Sequence, residues 1–196
     1  MNKKFQAYSN NVEVNGNTVL SVVSAMEGFE VYALEILRKN GIENLCSDLW
    51  YPQQYWLNAF TEIANRIGEK TLYNIGMKIP DNAIFPDSFG GLEEALESIN
   101  IAYHMNHRYK DGMLLYNEKS GECGKGIGHY HLLSFHPEGK ALMECRNPYP
   151  SSFDRGIITS VVRRFQGLEK MIKVYLHPEK KNRTNGGEFC HFVVEW

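Results

Sequence analysis

KALMECRNPYPSSFDRGIITSVVRRF (140–165) and GGEFCHFVVEW (186–196) frame the part of the chain from which its architecture is read. In the first stretch Ala141, Met143 and Cys145 alternate, which puts them on one face of a strand. Ser151 or Ser152 then opens a helix, with Ser151 and Asp154 at the spacing of a capping box. Phe153, Ile157, Ile158, Val161, Val162 and Phe165 supply the core stripe of that helix. Strand character returns in MIKVYLH (171–177), and after the polar loop PEKKNRTNGGE (178–188) the last strand alternates Cys190, Phe192 and Val194.

Working back toward the N-terminus, MLLYN (113–117) and GHYHLLSF (128–135) read as strands, the second turning at His136 to Gly139 into KALMEC. Everything earlier is mainly helical. Leu92, Leu96, Ile99 and Tyr103 mark a helix over 92–108. Trp56, Leu57, Phe60, Ile63, Ala64 and Ile67 mark another, with Pro52 at its first turn and Gly68 after it. Phe29, Tyr32, Ala33, Ile36 and Leu37 mark a third, stopped by Asn40-Gly41. A further apolar patch, Leu72–Ile79, stops at Pro80, and PDNAIFPDSFGG (80–91) reads as a loop. VEVNGNTV (12–19) reads either as a hairpin turning on Asn15-Gly16 or as a helix capped at Asn17 or Thr18. The expected class is α+β: N-terminal helices packed on a mostly antiparallel C-terminal sheet with one crossing helix. A single domain over 1–196 is expected, mainly helical over 1–108 and sheet plus helix over 109–196.

The 21 basic and 23 acidic residues give no nucleic-acid bias, and no apolar run approaches the ~20 residues of a membrane span. The start, MNKKFQAYSNN, lacks the apolar stretch of a secretory signal. Cys46, Cys123, Cys145 and Cys190 are too dispersed for a disulfide framework, and free thiols suit a reducing compartment, so a cytoplasmic protein is expected. The chain carries no Walker loop, GxSxG elbow, HExxH or dinucleotide fingerprint. That turns the expectation away from an enzyme.

Three groups of residues could carry chemistry. Cys145 and Cys190 point inward, and with His177 at the end of the preceding strand they make a candidate zinc set; the competing reading is two small buried hydrophobes. His104 and His107, three apart, share a helix face beside Tyr103, while His129 and His131 alternate on one strand beside Tyr130. These could line a polar pocket or bind a metal or haem iron, or be satisfied by backbone groups. Trp50, Tyr51, Tyr55, Trp56 and Phe60 form an aromatic cluster; Trp56 and Phe60 suit the core, whereas Trp50 and Tyr51 suit a ligand or subunit contact.

SINIAYHMNHRYKDG (98–112), GIGHYHLLSF (126–135), ECRNPYPSSFDRGII (144–158) and GGEFCHFVVEW (186–196) resemble the superfamily joining four-vinyl-reductase-type ligand-binding domains, haem nitric-oxide-binding domains and TRAPP subunits. The resemblance implies a helical half packed on an antiparallel sheet, in agreement with the pattern above. It implies zinc through Cys145 and Cys190, with His177 replacing a loop ligand, since KKNRTNGG has no cysteine. It also implies a haem histidine near His104, although the tyrosine–serine–arginine motif for the propionates is absent.

The reading that follows is a sensory domain enclosing a small apolar or aromatic ligand between helices and sheet. Tyr103, His104, His107, His129, Tyr130 and Trp50 would bind it. Zinc at Cys145, His177 and Cys190 is possible, and haem is the less favoured cofactor. A homodimer partner or a separate effector protein would read the bound state. The alternatives are a haem-based gas sensor and a ligand-free interaction scaffold.

Overall fold

The computed structural model describes residues 5–83, 85, 90–167 and 169–196; the loop expected over 80–91 and the basic start of the chain therefore lie partly outside the described residues. Nearly every element expected from periodicity is present, with shifts that have physical causes. The chain enters through β1 (Val12–Asn15) and α1 (Gly16–Ala25), so Asn15-Gly16 is not a hairpin turn. The Asn15 side chain instead accepts the Thr18 N–H at 2.8 Å and caps α1. A Cβ on Gly16 would lie 1.8 Å from the Cys46 carbonyl oxygen, which is why glycine follows the cap.

Helices α2 (Glu30–Lys39), α3 (Gln53–Arg66), α4 (Glu69–Lys78) and α5 (Leu92–Met105) follow, with β2 (Trp50–Pro52) ahead of α3 and a short 3-10 turn at Ile79–Asn82. Gly68 adopts φ +114 between α3 and α4, a conformation that L side chains avoid. Strand β3 (His107–Tyr109) pairs with β1, and β2 pairs with its other side, giving a small antiparallel sheet in the helical half. The strand expected at 113–117 is confined to β4 (Tyr116–Asn117), paired with β5 (Glu122–Cys123).

The main sheet has the order β6-β7-β9-β8, built from β6 (His129–His136), β7 (Lys140–Arg146), β8 (Lys173–Leu176) and β9 (Cys190–Glu195), and every pairing is antiparallel. Helix α6 (Ser151–Gln166) crosses it between β7 and β8. The α+β class is thus as expected. Tyr130, Ala141, Met143, Cys145, Cys190, Phe192 and Val194 face the helices and are buried. His129, His131, Glu144 and His191 alternate to the outer face. No helix among the described residues is long and apolar enough to cross a membrane.

Two glycines set how closely the helical layer closes. A Cβ on Gly76 of α4 would sit 2.1 Å from the Phe153 carbonyl oxygen, and one on Gly156 of α6 would sit 2.2 Å from that of Tyr73. The helices therefore meet backbone to backbone, and beside this contact Trp56, Phe60, Tyr149 and Phe153 interlock with ring centroids 4.7–6.1 Å apart. Gly156→Ala should lower stability by about 1–3 kcal/mol in urea unfolding, although alanine is the better helix former by ~1 kcal/mol. An unchanged or raised midpoint would show that the helices do not touch.

Candidate functional site

Two spaces flank the packed centre. The first is a largely apolar cavity of about 390 Å³ between α5, α6 and the segment after α4, reached by Ile99, Ala102 and Met105 from one side and Phe153, Ile157 and Val161 from the other. Its inner end is formed by Tyr103, His107, Tyr130 and Tyr149. The second is a wide cleft of about 1430 Å³ between α5, the outer edge of β6 and the loop before β9, where His104, Cys123, His129, His131 and Arg183 meet.

The polar side chains at the inner end of the cavity all have hydrogen-bond partners. Helix α5 stops at Met105, where Asn106 N–H bonds the Ala102 carbonyl, and His107 begins β3. His104 and His107 are therefore not a pair on one helix face. His107 turns into the core: Nδ1 lies 2.6 Å from the Tyr103 carbonyl, which can only accept, so Nδ1 carries the proton. Nε2 then accepts from the Tyr149 hydroxyl at 2.7 Å, and that hydroxyl accepts from Gln53 Nε2 at 3.0 Å. Burial pushes the His107 pKa down to about 4 and the Tyr149 pKa upward. Tyr103 donates to the Ile127 carbonyl at 2.7 Å. The indole N–H of Trp56, a residue of the cavity wall, is buried and has no partner among the described residues.

Behind the tyrosines lies a charged centre. Asp154 is fully buried and accepts from Tyr130 at 2.6 Å, from Asn147 at 3.2 Å and from the Arg183 guanidinium. Burial raises its pKa, and the Arg183 charge opposes that rise. Burial works most strongly against the Arg183 charge as well, yet Asp154 together with the Cys190 and Cys145 thiols outweighs it and the guanidinium pKa is raised. The capping box read into Ser151 and Asp154 is thus not formed. Pro150 caps α6 by its carbonyl, while Ser151 Oγ lies 3.0 Å from Cys190 Sγ.

The expected site residues divide accordingly. Tyr103, His107 and Tyr130 line the cavity, whereas His104 and His129 line the cleft. Trp50 belongs to neither and lies beneath the Arg108 guanidinium, 4.7 Å from the ring centre. Cys145 and Cys190 are register partners across β7 and β9, but they do not gather with His177. Burial drives the Cys145 thiol pKa well above its usual value, Cys190 Sγ accepts from Arg183 Nε at 3.2 Å, and His177 Nδ1 accepts the Glu179 N–H at 3.3 Å. The zinc set read from the sequence is thus not brought together here; among the described residues the group with convergent ligand atoms is His129, His131 and Glu144. Sequence reasoning missed Gln53, Asn147, Tyr149, Asp154 and Arg183. Asn147, Tyr149 and Asp154 lie within ECRNPYPSSFDRGII, one of the stretches that carry the resemblance, but Arg183 sits in a polar loop that offers no periodic signal.

Two measurements probe the buried centre. Arg183→Met leaves Asp154 buried without its counter-charge and should cost about 3–5 kcal/mol in denaturant unfolding. A loss below about 1 kcal/mol, the range of exposed pairs, would mean that the pair is open to water. Neutral His107 makes stability pH-dependent: as pH falls from 6.5 toward 4 the unfolded chain takes up a proton that the folded one refuses. Stability should drop across that window by up to roughly 3 kcal/mol at this site. In His107→Gln the slope between pH 6.5 and 4 should flatten, and an unaltered slope would assign it elsewhere.

No family model and no curated protein matches the chain. Solved structures do share its fold. An H-NOX protein from S. oneidensis in the Fe(II)NO ligation state aligns over 92% of this chain and 98% of its own, with a TM-score of 0.61 and 14% identity. Unliganded Fe(II) H-NOX from K. algicida aligns over 92% and 95%, with a TM-score of 0.59 and 12% identity. An H-NOX domain from Shewanella oneidensis in the Fe(II)CO ligation state, solved by NMR, aligns over 93% and 97%, with a TM-score of 0.58 and 13% identity. The haem nitric-oxide-binding branch of the expected superfamily is the one these structures represent, and at such identities they establish the fold alone.

Proposed function

We propose that this chain is a binding-linked sensory domain on the H-NOX fold, taking a small, largely apolar molecule into the cavity between α5 and α6. The observation that carries the reading is the cavity itself. Its volume of about 390 Å³ lies within the range of small-molecule sites. Its apolar walls end at a polar cluster whose tyrosines and histidine already have hydrogen-bond partners. Because α6 is held against α4 by the glycine contact and α5 is tied to β6 through Asn100, whose Oδ1 accepts the Tyr130 N–H at 3.0 Å, the ligand bridges two separately anchored walls. Ligand contacts that favour one spacing of these walls would be read by a second copy of the chain or by an effector protein.

Haem-based gas sensing is the second reading, and the fold favours it over an unspecified small molecule, since the H-NOX structures described above are in Fe(II) states. His107 counts against it. An axial ligand needs an imidazole nitrogen free to meet iron. On the cavity wall His107 has both nitrogens engaged. His104 faces the wide cleft instead, with Nδ1 2.8 Å from the Asn100 carbonyl. His107 does not fit as a haem ligand, and His104 in the cleft is the imidazole that a haem reading would use.

Titration of the purified protein with 1-anilinonaphthalene-8-sulfonate and, separately, with haemin tests both readings. The fluorophore should bind to the wild type and fail to bind to Ala102→Trp, which fills the cavity. A Soret band that sharpens on haemin addition and vanishes in His104→Ala would transfer the assignment to a haem sensor. Absence of binding by either probe would leave the interaction scaffold as the function.

A further inference from the structure

On the solvent side of the main sheet, strand register assembles a second constellation. His131 on β6 lies directly opposite Glu144 on β7, and Glu144 lies opposite His191 on β9, so three side chains form one row across three strands. Cross-strand neighbours of this kind have Cβ atoms about 4.5–5.5 Å apart. His129, two residues before His131 on the same face, completes a block around Glu144. The rings of His129 and His131 stack at 3.8 Å with 9° between their planes. His129 Nε2 is 3.0 Å from Glu144 Oε1, and His191 Nε2 is 3.0 Å from Glu144 Oε2.

We propose that His129, His131 and Glu144 form a binding site for a divalent zinc-class cation on the outer face of the sheet, with His191 as a positioning residue for the carboxylate. One ligand atom from each of the three lies within 4.8 Å of those of the other two. A tetrahedral zinc with ligands at about 2.0–2.1 Å holds its donors about 3.3 Å apart. The His129–Glu144 edge is therefore nearly at the required separation, and rotation of the exposed His131 ring closes the remainder. Two imidazoles and one carboxylate are donors that zinc accepts, and three protein ligands leave a fourth position to water or to a solute entering the cleft. His191 binds the carboxylate oxygen that is not shared with His129 and so fixes its orientation, as outer partners of metal ligands do. The neighbouring Arg146 is directed elsewhere: it pairs with Glu188 at 3.5 Å and lies over the Phe189 ring. Tyr130, between the two histidines, points to the opposite face and to Asp154, so the site is separate from the cavity and independent of what fills it.

The test is zinc titration of chelator-stripped protein in competition with a chromophoric chelator, with cobalt as a spectroscopic substitute. Wild-type protein should take up one zinc and melt at a higher temperature with it. Cobalt should give visible d–d bands of low coordination number. His131→Ala and Glu144→Gln should each weaken zinc by roughly 100-fold, and His191→Phe by about 10-fold. Both His131 and Glu144 lie on the outer face, and circular dichroism would verify that the variants fold. Cys145→Ser and Cys190→Ser should leave the zinc affinity unchanged. The proposal is overturned if wild-type protein binds no zinc, if the double variant His131→Ala, Glu144→Gln binds as tightly as wild type, or if the cysteine variants lose the metal while the histidine variants keep it.

Discussion

The charge pair between Asp154 and Arg183 holds together parts of the chain that are far apart in sequence. A carboxylate at the start of α6 would be costly in a dry interior, because burying an ion without a partner costs several kcal/mol. Here three elements answer it at once: Tyr130 from β6, Asn147 from the turn after β7 and Arg183 from the loop between β8 and β9. Arg183 also bonds the Asn147 side chain at 2.7 Å and reaches Cys190 Sγ, so the same guanidinium pins the loop to the first residue of β9. These bonds together fix where α6 crosses the sheet. The position of α6, in turn, sets one wall of the cavity.

From that constraint the two candidate sites separate cleanly. Side chains alternate along β6, so Tyr130 goes inward to the charged centre while His129 and His131 go outward. The inner face, closed by α5 and α6, leaves an apolar hollow whose polar end is already saturated with hydrogen bonds. The outer face carries imidazoles and a carboxylate within reach of one another and of solvent. An apolar molecule suits the first environment and a hydrated cation the second, since each would lose by exchange: the cation its hydration, the apolar molecule its burial. His107, with both ring nitrogens engaged, closes the polar end of the inner hollow.

Periodicity made most of the fold legible. The stripes of α2, α3 and α6, the alternation of β6, β7 and β9, and the stops at Gly41 and Gly68 are local features, and local features are written in neighbouring residues. The helix read through Arg108 ended at Met105 because His107 pairs with Val14 across the small sheet, a contact between residues far apart in sequence. Asn15-Gly16 has the composition of a hairpin turn, yet Asn15 caps a helix because its strand partners lie at 50–52 and 107–109. Cys145 and Cys190 were placed inward correctly, but what an inward thiol meets depends on Arg183, whose loop has no pattern to read.

The amino-acid order by itself determined the element types, the antiparallel sheet with its crossing helix, and which residues of each strand face inward, because those follow from spacing over a few residues. Only the tertiary structure decided which titratable groups meet: that Asp154 finds Arg183, that His107 is closed off by Tyr149, and that His129, His131 and Glu144 converge. Such meetings depend on register between strands and on the angle at which α6 crosses them. Those quantities are settled by packing across the whole core, for which no short stretch of sequence carries a signature.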